Sequence, residues 1–164
     1  MVVHGKEGPP SRVLGFHRPL IRAEVVIPSR IQAVSLTVNR LMRLLRRSCC
    51  YSGREFAVET VLREALANAI IHGNRLDPKK IVRLCCSCDA EGDILIVVTD
   101  EGEGFDPSAI PSPLTRENIN LERGRGICLI NQFADEVRFE RGGAEIQIRI
   151  SARPKERSRG LEVG

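Results

Sequence analysis

Two pairs of strand-like runs in this chain are separated by connections too short for anything but a hairpin. Ile81–Cys88 and Ile94–Thr99 are joined by Asp89-Ala-Glu-Gly-Asp93, and Val137–Arg141 and Ala144–Ile150 by Gly142-Gly143. A parallel pair needs a crossover of about a dozen residues, so both pairs must run antiparallel. The second pair alternates apolar and polar residues, as half-buried strands do. Ile94-Leu-Ile-Val-Val-Thr99 is apolar almost throughout, which places it at the centre of a sheet.

Elsewhere the period changes. Leu20-Ile-Arg-Ala-Glu-Val-Val-Ile27, stopped by Pro28, predicts a further strand. Val34, Val38, Leu41 and Leu45 recur at helical spacing and predict a helix over about 30–48. Ser29 is its expected N-cap, and Arg40, Arg43, Arg46 and Arg47 lie on its other face. Ser52-Gly-Arg-Glu55 has capping-box spacing and starts a second helix near 53, which Gly73-Asn74 ends before a turn at Asp77-Pro78. A short helix is expected at Gly126–Phe133. This order predicts an α+β domain, a two-layer sandwich with helices on one face of a mixed, mostly antiparallel sheet. The 164 residues suit one such domain over 20–150. A mobile arm (1–19) and a mobile basic tail (151–164) are expected to flank it.

The second helix carries the chemistry. Val58, Val61, Leu62, Ala65, Leu66 and Ala69 form its apolar face, while Glu64, Asn68 and His72 recur every fourth residue as one polar stripe. A Glu and an Asn one turn apart are usually a solvated surface. They also make a general base beside a Mg²⁺ ligand, since the carboxylate takes a proton and the amide oxygen binds a hard cation. His72 is expected to pack or hydrogen-bond rather than react.

Two glycine clusters follow. Asp100-Glu-Gly-Glu-Gly-Phe-Asp106 closes the central strand, where Gly102 and Gly104 permit close backbone approach and Asp100 could accept a hydrogen bond from an exocyclic amine. A solvated turn would use the same residues. Gly124-Arg-Gly126 opens the short helix, whose free N–H groups suit phosphate, with Arg123 and Arg125 adding positive charge. Residues 100–123 have no sustained period and are expected to act as a lid. There is no Walker A loop, no protein-kinase catalytic loop and no Rossmann fingerprint.

Composition narrows the remaining classes. The net charge is only +4 and aromatics are 4%, with no nucleic-acid reading motif. No apolar run reaches the roughly 20 residues of a membrane span. Residues 1–10 lack a signal peptide's apolar run, so a cytoplasmic location and free thiols for the six Cys are expected. Cys85 and Cys88 have metal-site spacing, but three residues apart on a strand they face opposite ways.

Taken in order, Glu64-Ala-Leu-Ala-Asn68 with Ala69-Ile-Ile-His-Gly-Asn74, Asp100-x-Gly102-x-Gly104, and Gly124-Arg-Gly-Ile-Cys-Leu129 resemble the boxes of the GHKL, or Bergerat-fold, ATP-binding superfamily. Within it the chain is most similar to the anti-sigma-factor serine/threonine kinases of bacterial sporulation and stress switches, through Asn68–Asn74, Gly104-Phe-Asp-Pro107, Gly124–Ile130 and Asp135-Glu-Val137. The resemblance spans about 20–150 and implies a Bergerat fold with ATP and Mg²⁺ as cofactors. It implies Glu64 as the base for a protein serine, Asn68 as the Mg²⁺ ligand, and Asp100 as the adenine reader. Gly102 and Gly104 would shape the adenine pocket, Gly124, Arg125 and Gly126 would meet the phosphates, and a lid from Phe105, itself a nucleotide-binding residue, to Arg125 would close on the triphosphate. The implied partners are a sigma factor and an anti-anti-sigma antagonist, with a homodimer through the helix at 30–48, and neither nucleic acid nor membrane.

One position departs from the family. Gly143-Ala-Glu145 places Ala144 where a hydroxyl residue is common. That keeps open a second reading, a catalytically weak or inactive ATP-binding module acting by partner binding alone. A plain ATPase of the chaperone or mismatch-repair kind is disfavoured by the short chain.

Overall fold

The computed structural model describes residues 2–4, 19–47, 53–104 and 125–153. In chain order the elements are β1 (Val2–His4), β2 (Ile21–Pro28), α1 (Gln32–Arg47), α2 (Glu55–Asn68), β3 (Ile81–Cys88), β4 (Ile94–Asp100), α3 (Arg125–Phe133), β5 (Glu136–Glu140) and β6 (Glu145–Ile150). The strands form one sheet in the order β1-β2-β3-β4-β6-β5, with β4 interior as its apolar run requires. Every pairing among the described strands is antiparallel. The parallel component that a mixed sheet would contain is therefore not found among them.

The register explains how apolar residues from distant segments become one face. Ala23, Cys86, Ile96, Ile148 and Val137 pair in one row across the sheet, and Val25, Leu84, Val98, Ile146 and Phe139 in the next. On this face, Val34, Val38, Leu41, Met42 and Leu45 of α1, Val58, Val61, Leu62, Ala65 and Leu66 of α2, and Ile130 of α3 close a single core. The result is the expected two-layer α+β sandwich. One further row runs Ile27, Val82 and then Asp100. An inward-facing apolar row thus ends in a carboxylate at the rim of the core.

Helix starts differ from expectation. α1 begins at Gln32, and Ser29 does not cap it: its N–H bonds Lys80 O at 3.0 Å and its buried Oγ has no partner. The first turn instead uses backbone acceptors, Ala33 N–H to Arg30 O and Val34 N–H to Ile31 O. α2 is preceded by Arg54 at the N-cap with no side-chain cap bond; Ser52 of the expected capping box lies outside the described residues. The Arg54 guanidinium donates to Phe133 O, Ser151 O and Asp135 Oδ2, which fixes the start of α2 against the ends of α3 and β6. Of the expected N-terminal arm, Val2–His4 pair with β2; residues 5–18, and the tail from 154, lie outside the described residues. Cys85, Cys86, Cys88 and Cys128 are free thiols, and Cys86 and Cys88 sit in the core while Cys85 does not. Cys49 and Cys50 lie outside the described residues. Among the described residues no helix is long and apolar enough to cross a membrane.

At the far end of the sheet Asp93 accepts from Arg149 Nη2 at 2.6 Å and from Ala152 N–H at 2.9 Å. Burial alone would raise this carboxyl, but those donors hold it below the ordinary carboxylate range. A depressed folded-state pKa stabilises above the unfolded value and loses that contribution as pH falls through the folded one. Asp93→Asn is therefore expected to cost about 2 kcal/mol at pH 7. In urea melts the gap from wild type should close as pH drops below the carboxylate range.

Candidate functional site

α2 does not stop at Asn68. Its last turn widens into a π-helical turn, Ala69–Gly73, in which Asn74 N–H reaches back to Ala69 O at 2.8 Å. Such wide turns are frequent at functional sites. This one delivers two small or polar residues to the end of β4. A Cβ on Gly73 would lie 2.3 Å from the Asp100 carboxylate, and one on Gly102 would lie 2.2 Å from Gly73 O. Only glycine fits at either position, because the obstructions are a short side chain and a backbone carbonyl. Asn74, buried to 1% exposure, accepts from Glu101 N–H at 2.8 Å and donates to Ile81 O at 2.9 Å.

Asp100 is thus held on several sides. Its N–H bonds Ala144 O at 3.0 Å, and its Oδ1 accepts from Gly102 N–H at 2.8 Å. Among the described residues no hydrogen bond takes up Oδ2. Burial raises the Asp100 carboxyl, with Gly102 N–H and the charges of Lys80 and Arg141 pulling the other way. A half-buried carboxylate with one oxygen to spare suits a ligand N–H donor. Gly104, at φ 77°, packs against Gly142 O, so the glycine box also touches the β5–β6 turn. A cleft of about 480 Å³ opens beside it, lined by Arg83, Thr99, Asp100, Glu101, Gly102, Arg141 and Ala144.

The polar stripe of α2 meets α3. A Cβ on Gly126 would lie 2.8 Å from Glu64 Oε2 and 2.9 Å from Asn68 Oδ1. The carboxylate and the carboxamide therefore converge on the first turn of α3, where backbone N–H groups lack intrahelical acceptors. Both side chains are half-buried. His72 is exposed, so the packing role expected for it is not seen. Phe105 and Gly124 lie outside the described residues, as does the Arg125 side chain, and so does the expected lid beyond Gly104.

These donors fit Mg²⁺ of one kind only. No group of three or more His, Cys, Asp or Glu among the described residues could hold a metal alone. One amide oxygen beside a carboxylate matches an ion that keeps most of its ligands as water and phosphate oxygen.

Gly126 also offers a test. Alanine there improves helix propensity, and its nearest neighbours would be the ends of the Glu64 and Asn68 side chains rather than backbone. Gly126→Ala is expected to leave the melting temperature equal or higher while lowering ATP affinity about tenfold or more, through displaced Glu64 and Asn68. Thermal melts and calorimetry check both halves.

Sequence reasoning missed Gly73 and Asn74 as site builders. The available signal was their place at the end of the first box, Ala69-Ile-Ile-His-Gly-Asn74, where they read as no more than the end of the helix.

A family model described as a histidine kinase-like ATPase domain matches residues 27–151. Over 85 residues, 51% of this chain, the sequence is 34% identical to an anti-sigma F factor of Priestia megaterium and 39% identical to one of Geobacillus stearothermophilus. It is 39% identical over the same length to an anti-sigma F factor of Clostridium novyi. The match spans 58% of the first two relatives and 59% of the third.

Proposed function

Because this chain belongs to the histidine kinase-like ATPase family, we propose that it binds Mg·ATP at the junction of α2, β4 and α3, phosphorylates a serine or threonine of an antagonist protein, and otherwise sequesters a sigma factor. The observation that carries this reading is the convergence of Glu64 and Asn68 on Gly126, with the π turn at the end of the same helix bringing Gly73 against Asp100 and Gly102. Asp100 accepts the adenine amine through Oδ2. Asn68 Oδ1 is the protein's ligand for Mg²⁺, which when bound neutralises charge on the phosphates. The first turn of α3 faces the phosphoryl group with its free N–H donors, and Glu64 takes the proton of the attacking hydroxyl. The names of the relatives support sigma-factor binding.

The test incubates the full chain with Mg·ATP and candidate antagonists carrying a serine or threonine acceptor, scored by intact mass. One added phosphate on that residue supports the reading; none, with ATP binding intact, contradicts it. Ala144 favours a second reading, a regulatory module that binds ATP and partner without transfer, because the position offers no hydroxyl beside Asp100.

A further inference from the structure

Asn74 belongs to none of the groups assigned a chemical role, yet it is among the most buried polar residues described. Its Oδ1 takes the N–H of Glu101, the residue immediately after Asp100, and its Nδ2 grips Ile81 O at the start of β3. The Glu101 side chain completes the clamp by accepting Ile81 N–H at 2.9 Å. Asn74's own N–H and C=O are fixed as well, to Ala69 O and Asp77 N–H. A rigid carboxamide thus joins the end of α2 to the peptide that sets the direction of the Asp100 side chain. With Oδ1 of Asp100 committed to Gly102 N–H, that direction decides where Oδ2 points.

We propose that Asn74 is the positioning residue for base recognition, aiming Asp100 Oδ2 at the 6-amino group of a bound adenine. This rests on the nucleotide reading above and deepens it. Asn74 touches no substrate; it acts through Asp100. Loss of its carboxamide frees the Glu101 peptide to turn, and the carboxylate loses its fixed aim while keeping its charge.

The experiment measures binding of ATP and of purine riboside triphosphate, which lacks the 6-amino group, to wild type, Asn74→Ala, Asp100→Asn and the double variant. Wild type should prefer ATP by about tenfold or more, the worth of a hydrogen bond to a charged group. Asn74→Ala should shrink that preference to within about threefold, with purine riboside triphosphate bound nearly as in wild type. In the Asp100→Asn background the same change should not move the preference further. A role in folding alone would lower the melting temperature and leave the ratio intact, which overturns the proposal. So does an effect that simply adds to that of Asp100→Asn. If the alanine variant does not melt cooperatively, Asn74→Ser, which keeps a small polar group in the cavity, carries the same comparison. Wild type that binds neither nucleotide overturns the nucleotide reading itself; wild type that binds both equally leaves that reading standing and overturns base recognition through this pair.

Discussion

Replacing Glu64 with glutamine is expected to lower phosphoryl transfer by about 10²–10⁴-fold while leaving Mg·ATP affinity within about threefold. The two effects separate because the substitution keeps shape and removes only basicity. Glu64 Oε2 lies against the first turn of α3, next to Asn68 Oδ1, so it stands where an attacking hydroxyl and the phosphates would meet. Glutamine fills the same space against Gly126 and does not disturb Asn68. Kinase assays with a phosphorylatable antagonist give the first number and calorimetry the second. Full transfer by the glutamine variant would remove Glu64 from the chemistry. A parallel loss of ATP affinity would instead assign it to binding.

Asp100→Asn is expected to weaken ATP binding by about 10- to 100-fold, the range for losing a hydrogen bond to a charged acceptor. In the nucleotide-free protein the same change should be neutral or stabilising. Burial raises this carboxyl, so the fold holds its charge at a cost that asparagine does not carry. Stability from this group therefore increases as pH falls through the raised pKa, and the amide variant lacks that dependence. Asparagine still offers Gly102 N–H an acceptor at Oδ1. A higher melting temperature with weaker binding is the pattern of a residue kept for function at a cost to stability. A variant that loses both would make Asp100 a structural residue.

Much of the architecture was legible because short connections and strict alternation leave few options. Two residues at Gly142-Gly143 allow only a hairpin, and the apolar run at 94–99 had to be interior. The antiparallel partnership of β4 with β6 was not legible, since it joins segments with α3 and the expected lid between them. The start of α1 was misread because a tertiary contact won over capping chemistry: Ser29 is drawn into a backbone bond to Lys80. At the start of α2, Arg54 is held by Phe133, Ser151 and Asp135, long-range contacts that no local pattern announces. His72 shared the stripe's spacing and still ended exposed: it lies inside the π turn Ala69–Gly73, where the 3.6-residue period no longer holds. Glu64, Asn68, Asp100 and the glycines were readable as types in order. Asn74 was not, since its role comes from reaching both β3 and the end of β4, which no local pattern encodes.

The most direct test follows backbone amide resonances of the ¹⁵N-labelled full chain during titration with Mg·ADP. If three separate segments enclose one nucleotide, the amides of Asn68, Gly102 and Gly126 shift together and fit a single Kd. Saturation without movement at one of the three, or shifts that fit different constants, would contradict a common site.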